Sequence, residues 1–174
     1  MGIADEITLR PAQPEEAEFL YRVYASTREE ELAPLPWDAA QKEAFLRMQF
    51  AAQDHHYRTY FGDGDFLIIQ RSGVPIGRLY VHRTESEISV VDIALLPESR
   101  GVGIGTALMN NVLKESDAVG KPVRLHVEAY NRAFGLYTRL GFVPIEENGL
   151  YVHMERLPQR SAEATRPETP PATP

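Results

Sequence analysis

The sequence contains no cysteine among its 174 residues. This absence excludes disulfide bonds, thiolate metal sites and a cysteine acyl-enzyme. No apolar run is long enough to predict a membrane-spanning helix, and residues 1–10 lack the pattern of a secretory signal. We therefore expect a cytoplasmic protein with no membrane partner, and no spacing of histidines predicts a metal site.

Basic residues are also scarce, since 18 Lys and Arg face 25 Asp and Glu, for a net charge of −7. Nucleic-acid binding needs a basic patch that neutralises phosphates, and the sequence shows none. A nucleic-acid partner is therefore disfavoured. A cationic substrate suits the electrostatic field of a negatively charged protein better.

The composition, 43% hydrophobic and 25% charged, is ordinary for a globular protein of one domain. From residue 158 onward, however, the sequence has no aromatic or branched aliphatic side chain. Such a segment cannot bury enough apolar surface to offset its ordering entropy. We predict one domain over residues 1–157 and a flexible proline-rich tail over residues 158–174.

One stretch combines an apolar run with a glycine-rich turn. Residues 89–96 predict a strand covered on both faces, and Pro97 ends it. Gly101, Gly103 and Gly105 then lead into a helix with one apolar face. Glycines permit sharp turns and close approach of a ligand, and the first N–H groups of a helix have no intrahelical partner. The stretch is a candidate anion site, most naturally for phosphate.

The glycine spacing separates this loop from two common nucleotide sites. The dinucleotide fingerprint needs a third glycine where Thr106 stands, and an acidic residue about twenty positions later, where Lys121 falls. The phosphate loop of nucleoside triphosphatases ends in Gly-Lys-Ser/Thr, which is absent. On the glycines alone, a plain tight turn stays as plausible as a binding loop.

A second motif occupies residues 125–142, and the two together resemble those of the GCN5-related N-acetyltransferases, which use acetyl-coenzyme A. The family's pyrophosphate loop, Arg/Gln-x-x-Gly-x-Gly/Ala, is matched by Arg100, Gly103 and Gly105. Its Asn-x-x-Ala-x-x-Leu-Tyr-x-x-x-Gly-Phe stretch is matched by Asn131, Leu136, Tyr137, Gly141 and Phe142, although Ala133 stands two places after Asn131 and Phe134 occupies the third.

The resemblance implies an α/β fold, a single domain with a mixed sheet of about seven strands flanked by helices, whose central parallel strands splay apart. The patterns of apolar and turn residues agree with such a fold. They predict strands at residues 7–10, 66–71, 75–82, 89–96, 123–127, 142–146 and 150–156. They predict helices at about residues 15–25, 38–57 and 131–140, and one more that begins within the glycine run.

The resemblance also implies where acetyl-coenzyme A binds. Family members hold pantetheine like an extra strand along the central strand, and the pyrophosphate on the loop N–H groups. The implied contacts are Ile93, Ala94 and Leu95 on the strand, Arg100, Gly101, Val102, Gly103, Ile104, Gly105 and Thr106 in the loop, and Asn131, Ala133, Phe134 and Tyr137 beyond it.

Acetyl transfer to an amine needs a neutral nucleophile, a polarised carbonyl and a proton for the leaving thiolate. Tyr137, at the family's tyrosine position, would supply that proton. His126 is a candidate base, because an unperturbed imidazole has a pKa of about 6.5. The alternatives are Glu128, Asp92, Glu87 or a chain of waters, with His126 then only packing or hydrogen-bonding.

The acceptor, a small-molecule amine or a protein amino group, would bind under the first two helices, as in the resembled family. The candidate contacts are Glu30, Gln49, Gln53, Tyr57, Asp92 and Glu128, with a partly solvated helix edge as the alternative for the glutamines. A homodimer is possible. The other functional hypotheses are a non-catalytic coenzyme A-binding module and a nucleotide or redox domain, which the glycine spacing disfavours.

Overall fold

In a computed structural model of the protein, which describes residues 6–159, seven strands form one mixed sheet in the order β1-β2-β3-β4-β5-β7-β6. The predicted fold class is confirmed. The residues predicted as a tail fall almost entirely outside the described part, and that prediction stays untested. The strands are β1 Ile7–Pro11, β2 Asp65–Arg71, β3 Val74–Arg83, β4 Ile88–Leu95, β5 Val123–Glu128, β6 Val143–Asn148 and β7 Tyr151–Arg156. The helices are α1 Ala17–Leu32, α2 Ala39–Tyr60, α3 Ile104–Val119 and α4 Ala133–Arg139.

The predicted end of α1 was wrong, because the helix continues to Leu32 instead of stopping near residue 25. Residues 29–31, three glutamates, lie exposed on its last turn, while Leu32 is buried against Tyr21, Tyr24 and Leu46. A charged run on the solvent side does not end a helix whose next apolar residue still reaches the core. The longer helix brings Arg28 and Glu30 close to residues that lie beyond the central strands, at the end of β5 and just before α4.

Helix α2 covers the same sheet face as α1 and begins at a capping box. Asp38 accepts a hydrogen bond from the Gln41 N–H at 2.8 Å, and the Gln41 side chain accepts from the Asp38 N–H. Leu46 is the one buried residue of this helix. The rest of its packing comes from half-buried groups such as Phe50, whose ring lies 5.8 Å from that of Tyr21. The cover that α2 gives to this sheet face is therefore lightly packed.

The main core lies on the opposite face, between the sheet and helices α3 and α4. Alternation along the strands directs one set of side chains to this face. Its fully buried members include Ile69, Leu79, Val81, Ile88, Leu125 and Met154 from the sheet, and Ile104, Met109 and Val112 from α3.

The two central strands β4 and β5 are parallel and pair at only three positions. These are Ile88 with Val123, Ser89 with Arg124, and Val90 with Leu125. Beyond them β4 pairs only with β3, and β5 only with β7. The strands therefore diverge toward their carboxyl ends, which confirms the predicted splay and leaves one backbone edge of β4 facing the gap.

A β-bulge in β4 decides which face Asp92 occupies. Tyr80 pairs with Asp92 and the next residue, Val81, pairs with Val90, so that Val91 is the extra residue. Simple alternation from Val90 would have directed Asp92 into the main core. The bulge instead places it on the face of α1 and α2, beside Tyr80 and Arg78.

The two packing environments predict opposite outcomes for the same substitution. Met109→Ala removes a methionine with 0% exposure in α3, and should lower the free energy of unfolding by about 2–5 kcal/mol because a cavity remains. Met48→Ala removes one that is 59% exposed in α2, and should change it by less than about 0.5 kcal/mol. Urea denaturation measures both, and equal losses would contradict the assignment of the core.

Candidate active site

The glycine loop ends in a helix start with unpaired donors. Gly101 and Gly103 have φ angles of 74° and 89°, a left-handed conformation that favours glycine. The first intrahelical hydrogen bond of α3 runs from the Ala107 N–H to the Gly103 carbonyl at 3.0 Å. The N–H groups of residues 104–106 precede it and have no partner in the described part of the chain. Such a turn is an anion site.

Gly105 differs from the other loop glycines, because its backbone is helical. A Cβ added there would meet nothing within 4 Å. Glycine inside a helix costs about 0.5–1 kcal/mol relative to alanine. The folded chain therefore gives no reason for this glycine, and close approach of a ligand to the helix start does.

Arg100 ties the loop to its surroundings. Its Nε donates to the Leu95 carbonyl at 2.8 Å and its Nη2 donates to the Ser26 hydroxyl of α1 at 2.9 Å. The structure thus places Arg100, a predicted cofactor contact, in hydrogen bonds within the protein. The same bond occupies the Leu95 carbonyl, another predicted contact.

The edge of β4 beside the gap has the backbone polarity that an added strand needs. The Leu96 N–H donates to the Ile76 carbonyl of β3 at 2.8 Å. By alternation, the backbone groups of Ile93 and Leu95 face away from β3, toward the gap, while those of Ala94 face β3. Ile93 is the predicted contact that this geometry favours most.

Tyr137 is presented from α4. The helix is capped by Asn131, whose side-chain oxygen accepts from the Ala133 N–H at 2.8 Å, so this predicted cofactor contact has a structural role as well. The Tyr137 ring is buried and lies edge-on to Phe142 at 5.8 Å. Burial, followed by the charge of Asp92, raises the pKa of Tyr137 to about 12. The hydroxyl therefore keeps its proton at neutral pH.

The remaining predicted cofactor contacts, in the glycine loop and in α4, differ in how far they are exposed. Ile104 is 1% exposed and packs in the core, which leaves only its backbone for a ligand. Ala133 and Phe134 are partly buried against the same core. Val102 and Gly101 are exposed, and Thr106 is half-buried.

A buried polar cluster lies under α2, on the sheet face that the bulge reaches. Arg78 of β3 is 3% exposed and forms an ion pair with Asp92. Its Nη2 also donates to the Gln53 side-chain oxygen of α2 at 2.7 Å. The Tyr57 ring lies 6.0 Å from that of Tyr80, and burial, followed by the charge of Asp92, raises the pKa of Tyr57 above its usual range.

Of this cluster, Gln53, Tyr57 and Asp92 were predicted from sequence, whereas Arg78 and Tyr80 were missed. The available signal was an arginine within the apolar strand segment at residues 76–81. A charge in a strand buried on both faces is costly unless it is paired. Gln49, also predicted, lies half-buried one helical turn before Gln53.

His126 lies on the face of the sheet turned away from α3 and α4, and is exposed. It stacks on its cross-strand neighbour His153 with ring centroids 4.2 Å apart. Burial, followed by the proximity of His153, lowers the pKa of His126, while Glu146 and Glu87 oppose this shift. Among residues 6–159, no hydrogen bond, ion pair or ring contact joins His126 to Tyr137 or Asp92. Its role as base stays a prediction.

The two other acidic acceptor candidates are paired with arginines. Glu128 of β5 lies 3.3 Å from Arg28 of α1, and the exposed Glu30 lies 3.0 Å from Arg132, just before α4. These pairs connect α1 to the carboxyl end of β5 across the gap. Exposed pairs of this kind contribute little to stability, so an acceptor can displace them at small cost.

This geometry, a sheet opened between parallel strands above a glycine loop, can be compared with known proteins. The sequence model of the acetyltransferase (GNAT) family matches residues 20–142, most of the chain. The chain belongs to the acetyltransferase (GNAT) family. The resemblance drawn from the two motifs is confirmed.

Curated GNAT relatives include the mycothiol acetyltransferases of Streptomyces coelicolor and Streptomyces avermitilis. Each is 32% identical over 102 residues, which cover 56% of this chain and 33% of the relative. The chain therefore matches about a third of the length of these proteins.

Solved structures agree with the fold. The PaiA N-acetyltransferase of Thermoplasma acidophilum, in complex with coenzyme A, superposes with a TM-score of 0.65 at 21% identity, covering 87% of this chain and 98% of that one. An acetyltransferase of Thermus thermophilus gives a TM-score of 0.64 at 17% identity, covering 90% and 99%.

Residues 6–159 contain neither a membrane-spanning helix nor a metal site. No helix there has both the length and the apolar character to cross a membrane. No group of three or more His, Asp or Glu side chains in this range is arranged to hold a metal ion.

The raised pKa of Tyr137 predicts a stability change at high pH. The phenol ionises near pH 10 in the unfolded chain, about two units below its folded pKa of about 12. The stabilising contribution is therefore complete below about pH 10 and lost progressively toward about pH 12, by up to about 2–3 kcal/mol. Urea denaturation across this range should show a smaller loss for Tyr137→Phe than for the wild type.

The matched control is Tyr130→Phe, because the Tyr130 ring is 92% exposed and folding changes its surroundings little. It should keep the wild-type pH dependence. Identical slopes for Tyr137→Phe and the wild type would contradict the buried placement of Tyr137.

Proposed function

We propose that this GNAT domain transfers an acetyl group from acetyl-coenzyme A to an amine acceptor by direct attack in a ternary complex. The observation that carries the proposal is the gap between β4 and β5, which is bordered by a free strand edge and by a helix start with unpaired donors. Tyr137 lies on α4, the helix that follows β5. The comparisons support the family, and the acceptor in this proposal is an amine on a small molecule or a protein.

The residues present fit the cofactor. The helix-start N–H groups of residues 104–106 suit a pyrophosphate, and the bare Gly105 leaves room for close approach. The Ile93 backbone suits an extended amide-bearing chain laid along β4. Acetyl-coenzyme A, when bound, supplies an activated thioester to this site.

The chain's own groups then handle two protons. Tyr137, which is buried beside Phe142, holds one proton at its hydroxyl and donates it to the leaving sulfur. The acceptor amine must lose another. His126 is one proposed base, and a water chain or one of the carboxylates Asp92, Glu128 and Glu87 is the alternative.

The acceptor would lie between α1, α2 and the end of β5. Asp92 and Tyr57 lie at the sheet side of this space, Glu30 and Glu128 at its exposed side, and Gln49 on α2 between them. All three carboxylates have arginine partners, so the site presents both signs of charge rather than a purely anionic surface. A homodimer and a cytoplasmic location stay predictions.

A non-catalytic coenzyme A-binding module is the second hypothesis. It predicts cofactor binding without thiol release. A protonated, buried tyrosine in the gap favours the enzyme, because binding alone has no need for a proton donor there.

Two glycines at opposite ends of α3 test the cofactor site. Gly105→Val should change the free energy of unfolding by less than about 1 kcal/mol, yet weaken acetyl-coenzyme A binding about tenfold or more by obstructing close approach to the backbone. Gly120, with φ of 69°, ends the same helix. Gly120→Ala should cost about 1–2 kcal/mol of stability through its left-handed backbone and keep the affinity.

Isothermal titration calorimetry and urea denaturation give both quantities for each variant. Gly103→Val, at the helix cap, should also weaken binding. Wild-type affinity in folded Gly105→Val and Gly103→Val would remove the loop from the cofactor site.

Tyr137 and His126 are separated by how their variants fail. Tyr137→Phe keeps the ring but removes the proton, and should lower kcat by roughly 10²-fold with little change in cofactor affinity. Tyr130→Phe, on an exposed ring, is the matched control and should keep kcat. If His126 is the base, the rate should rise with pH through an ionisation below its usual value, because its pKa is lowered.

His126→Ala should then lose this rise of the rate with pH. His153→Ala should move the rise to higher pH, since His153 contributes to the lowered pKa of His126. A near-wild-type kcat in Tyr137→Phe, with chemistry rate-limiting, would exclude the tyrosine as acid. An unchanged profile in His126→Ala would assign the base to a carboxylate or water.

A further inference from the structure

We propose that Arg100 is a positioning residue that fixes where the pantetheine arm of acetyl-coenzyme A can pair with the free edge of β4. It does so by holding the Leu95 carbonyl from within the protein, and it is not itself a ligand of the pyrophosphate. This role rests on the proposed function, because it takes that edge as the place of the arm. It differs from the direct cofactor contact that the family motif implies for Arg100.

The free edge of β4 has a short row of backbone groups. The Leu96 N–H donates to the Ile76 carbonyl at 2.8 Å, which directs Leu96 toward β3. Backbone direction alternates along a strand, so the N–H and C=O groups of Leu95 and Ile93 face the gap. In the described part of the chain, β4 pairs only with β3 past Val90. By itself, such an edge would present two donors and two acceptors to an extended ligand.

Arg100 removes one of these two acceptors. Its Nε donates to the Leu95 carbonyl at 2.8 Å. The N–H of a neighbouring strand would lie at about 2.9 Å, so the side chain occupies the place that the next backbone donor would take. The Ile93 carbonyl is then the acceptor that this edge keeps for a ligand N–H. An amide N–H placed opposite Leu95 instead would find its partner occupied, and an unpaired donor is costly.

A second hydrogen bond holds the guanidinium from a different element. Nη2 donates to the Ser26 hydroxyl of α1 at 2.9 Å, and that hydroxyl donates to the Val23 carbonyl at 2.7 Å. Both partners of Arg100 are neutral oxygens, and no carboxylate pairs with it among the described residues. Two directional bonds to separate elements restrain a long side chain that a single exposed contact would leave mobile.

Glutamine and lysine separate this role from a direct contact with the pyrophosphate. The amide nitrogen of glutamine lies the same number of bonds from Cα as the Nε of arginine, so Arg100→Gln can keep the bond to Leu95 without the charge. Arg100→Lys keeps the charge but has a methylene at that position. A residue that holds the carbonyl should tolerate glutamine better, whereas a phosphate ligand should tolerate lysine better.

The first test measures turnover and acetyl-coenzyme A affinity at about 0.15 M salt. Arg100→Gln should keep kcat within about threefold, and Arg100→Lys should lower it about tenfold or more, because a ligand can then pair at Leu95 as well as at Ile93. The affinity of Arg100→Lys should change less than its kcat, since a shifted arm still binds. Arg71→Gln is the matched control and should keep the wild-type kcat, because Arg71 lies on β2, two strands from β4.

The second test needs no turnover and uses ADP, which carries a pyrophosphate without the arm. Calorimetry should show an ADP affinity within about threefold of the wild type in Arg100→Gln. A separate readout is the Arg100 Nε–H signal in the nitrogen-15 NMR spectrum, identified by its loss in Arg100→Gln. With acetyl-coenzyme A bound, this signal should stay protected from exchange with water, because the bond to Leu95 persists.

Ser26→Ala tests the bond to α1, and it decides the question if an Arg100 variant does not fold. It removes one acceptor of the guanidinium, and should speed the exchange of the Arg100 Nε–H and lower kcat about threefold or more. Thr27→Ala is the matched control, because Thr27 donates to the Tyr24 carbonyl at 2.6 Å in the same way but has no bond to Arg100 among the described residues. It should leave both readouts at their wild-type values.

Three results would overturn the proposal. One is wild-type kcat in Arg100→Lys together with an ADP affinity lowered about tenfold in Arg100→Gln, which would make Arg100 a phosphate ligand. Another is an Nε–H signal that loses its protection when acetyl-coenzyme A binds. The third is an unchanged Nε–H signal and kcat in Ser26→Ala. Absence of thiol release by the wild-type protein with every amine would instead refute the proposed function, while ADP affinity and the Nε–H signal still decide the role of Arg100.

Discussion

The short pairing between β4 and β5 is the constraint on which the site depends. Three residue pairs join these strands, after which β4 follows β3 and β5 follows β7. Parallel strands normally continue side by side, since each lost pair exposes backbone groups that need partners. The unmatched edge of β4 is thus both a cost to the fold and the feature that can pair with an extended ligand. Helix α3 begins at the same end of β4, which brings its unpaired N–H groups to the mouth of the gap.

The bulge at Val91 gives that gap its chemistry. It reverses the side-chain alternation of β4, so that Ile88 and Val90 face α3 while Asp92 faces α2. Asp92 then forms an ion pair with the buried Arg78. Arg78 and Asp92 thus put a buried ion pair on the α2 side of the sheet, whereas the buried Arg156 pairs with Asp117 of α3. Helix α2 covers this side of the sheet with Leu46 as its one buried residue.

Local patterns predicted the strands and the glycine loop well, because each depends on a few adjacent residues. The end of α1 was wrong for a physical reason, since Leu32 reaches the second core past an acidic run. Among the candidate site residues, the structure brings Gln53, Tyr57 and Asp92 together as expected. It places His126 against His153, and it ties Arg100 to Leu95 and Ser26. These partners lie in other elements, so no spacing in the sequence could indicate them.

By itself, the sequence determined the family, the fold class and the position of the glycine loop. Glycines at 101, 103 and 105 and the Asn131 to Phe142 motif act through local backbone geometry, which short stretches encode. Only the tertiary structure decided that Arg78 and Asp92 form a buried pair. That outcome depends on a single extra residue in β4, which changes the face of every side chain after it. A one-residue shift of register leaves no mark in composition or periodicity, yet it selects which charges share a buried site.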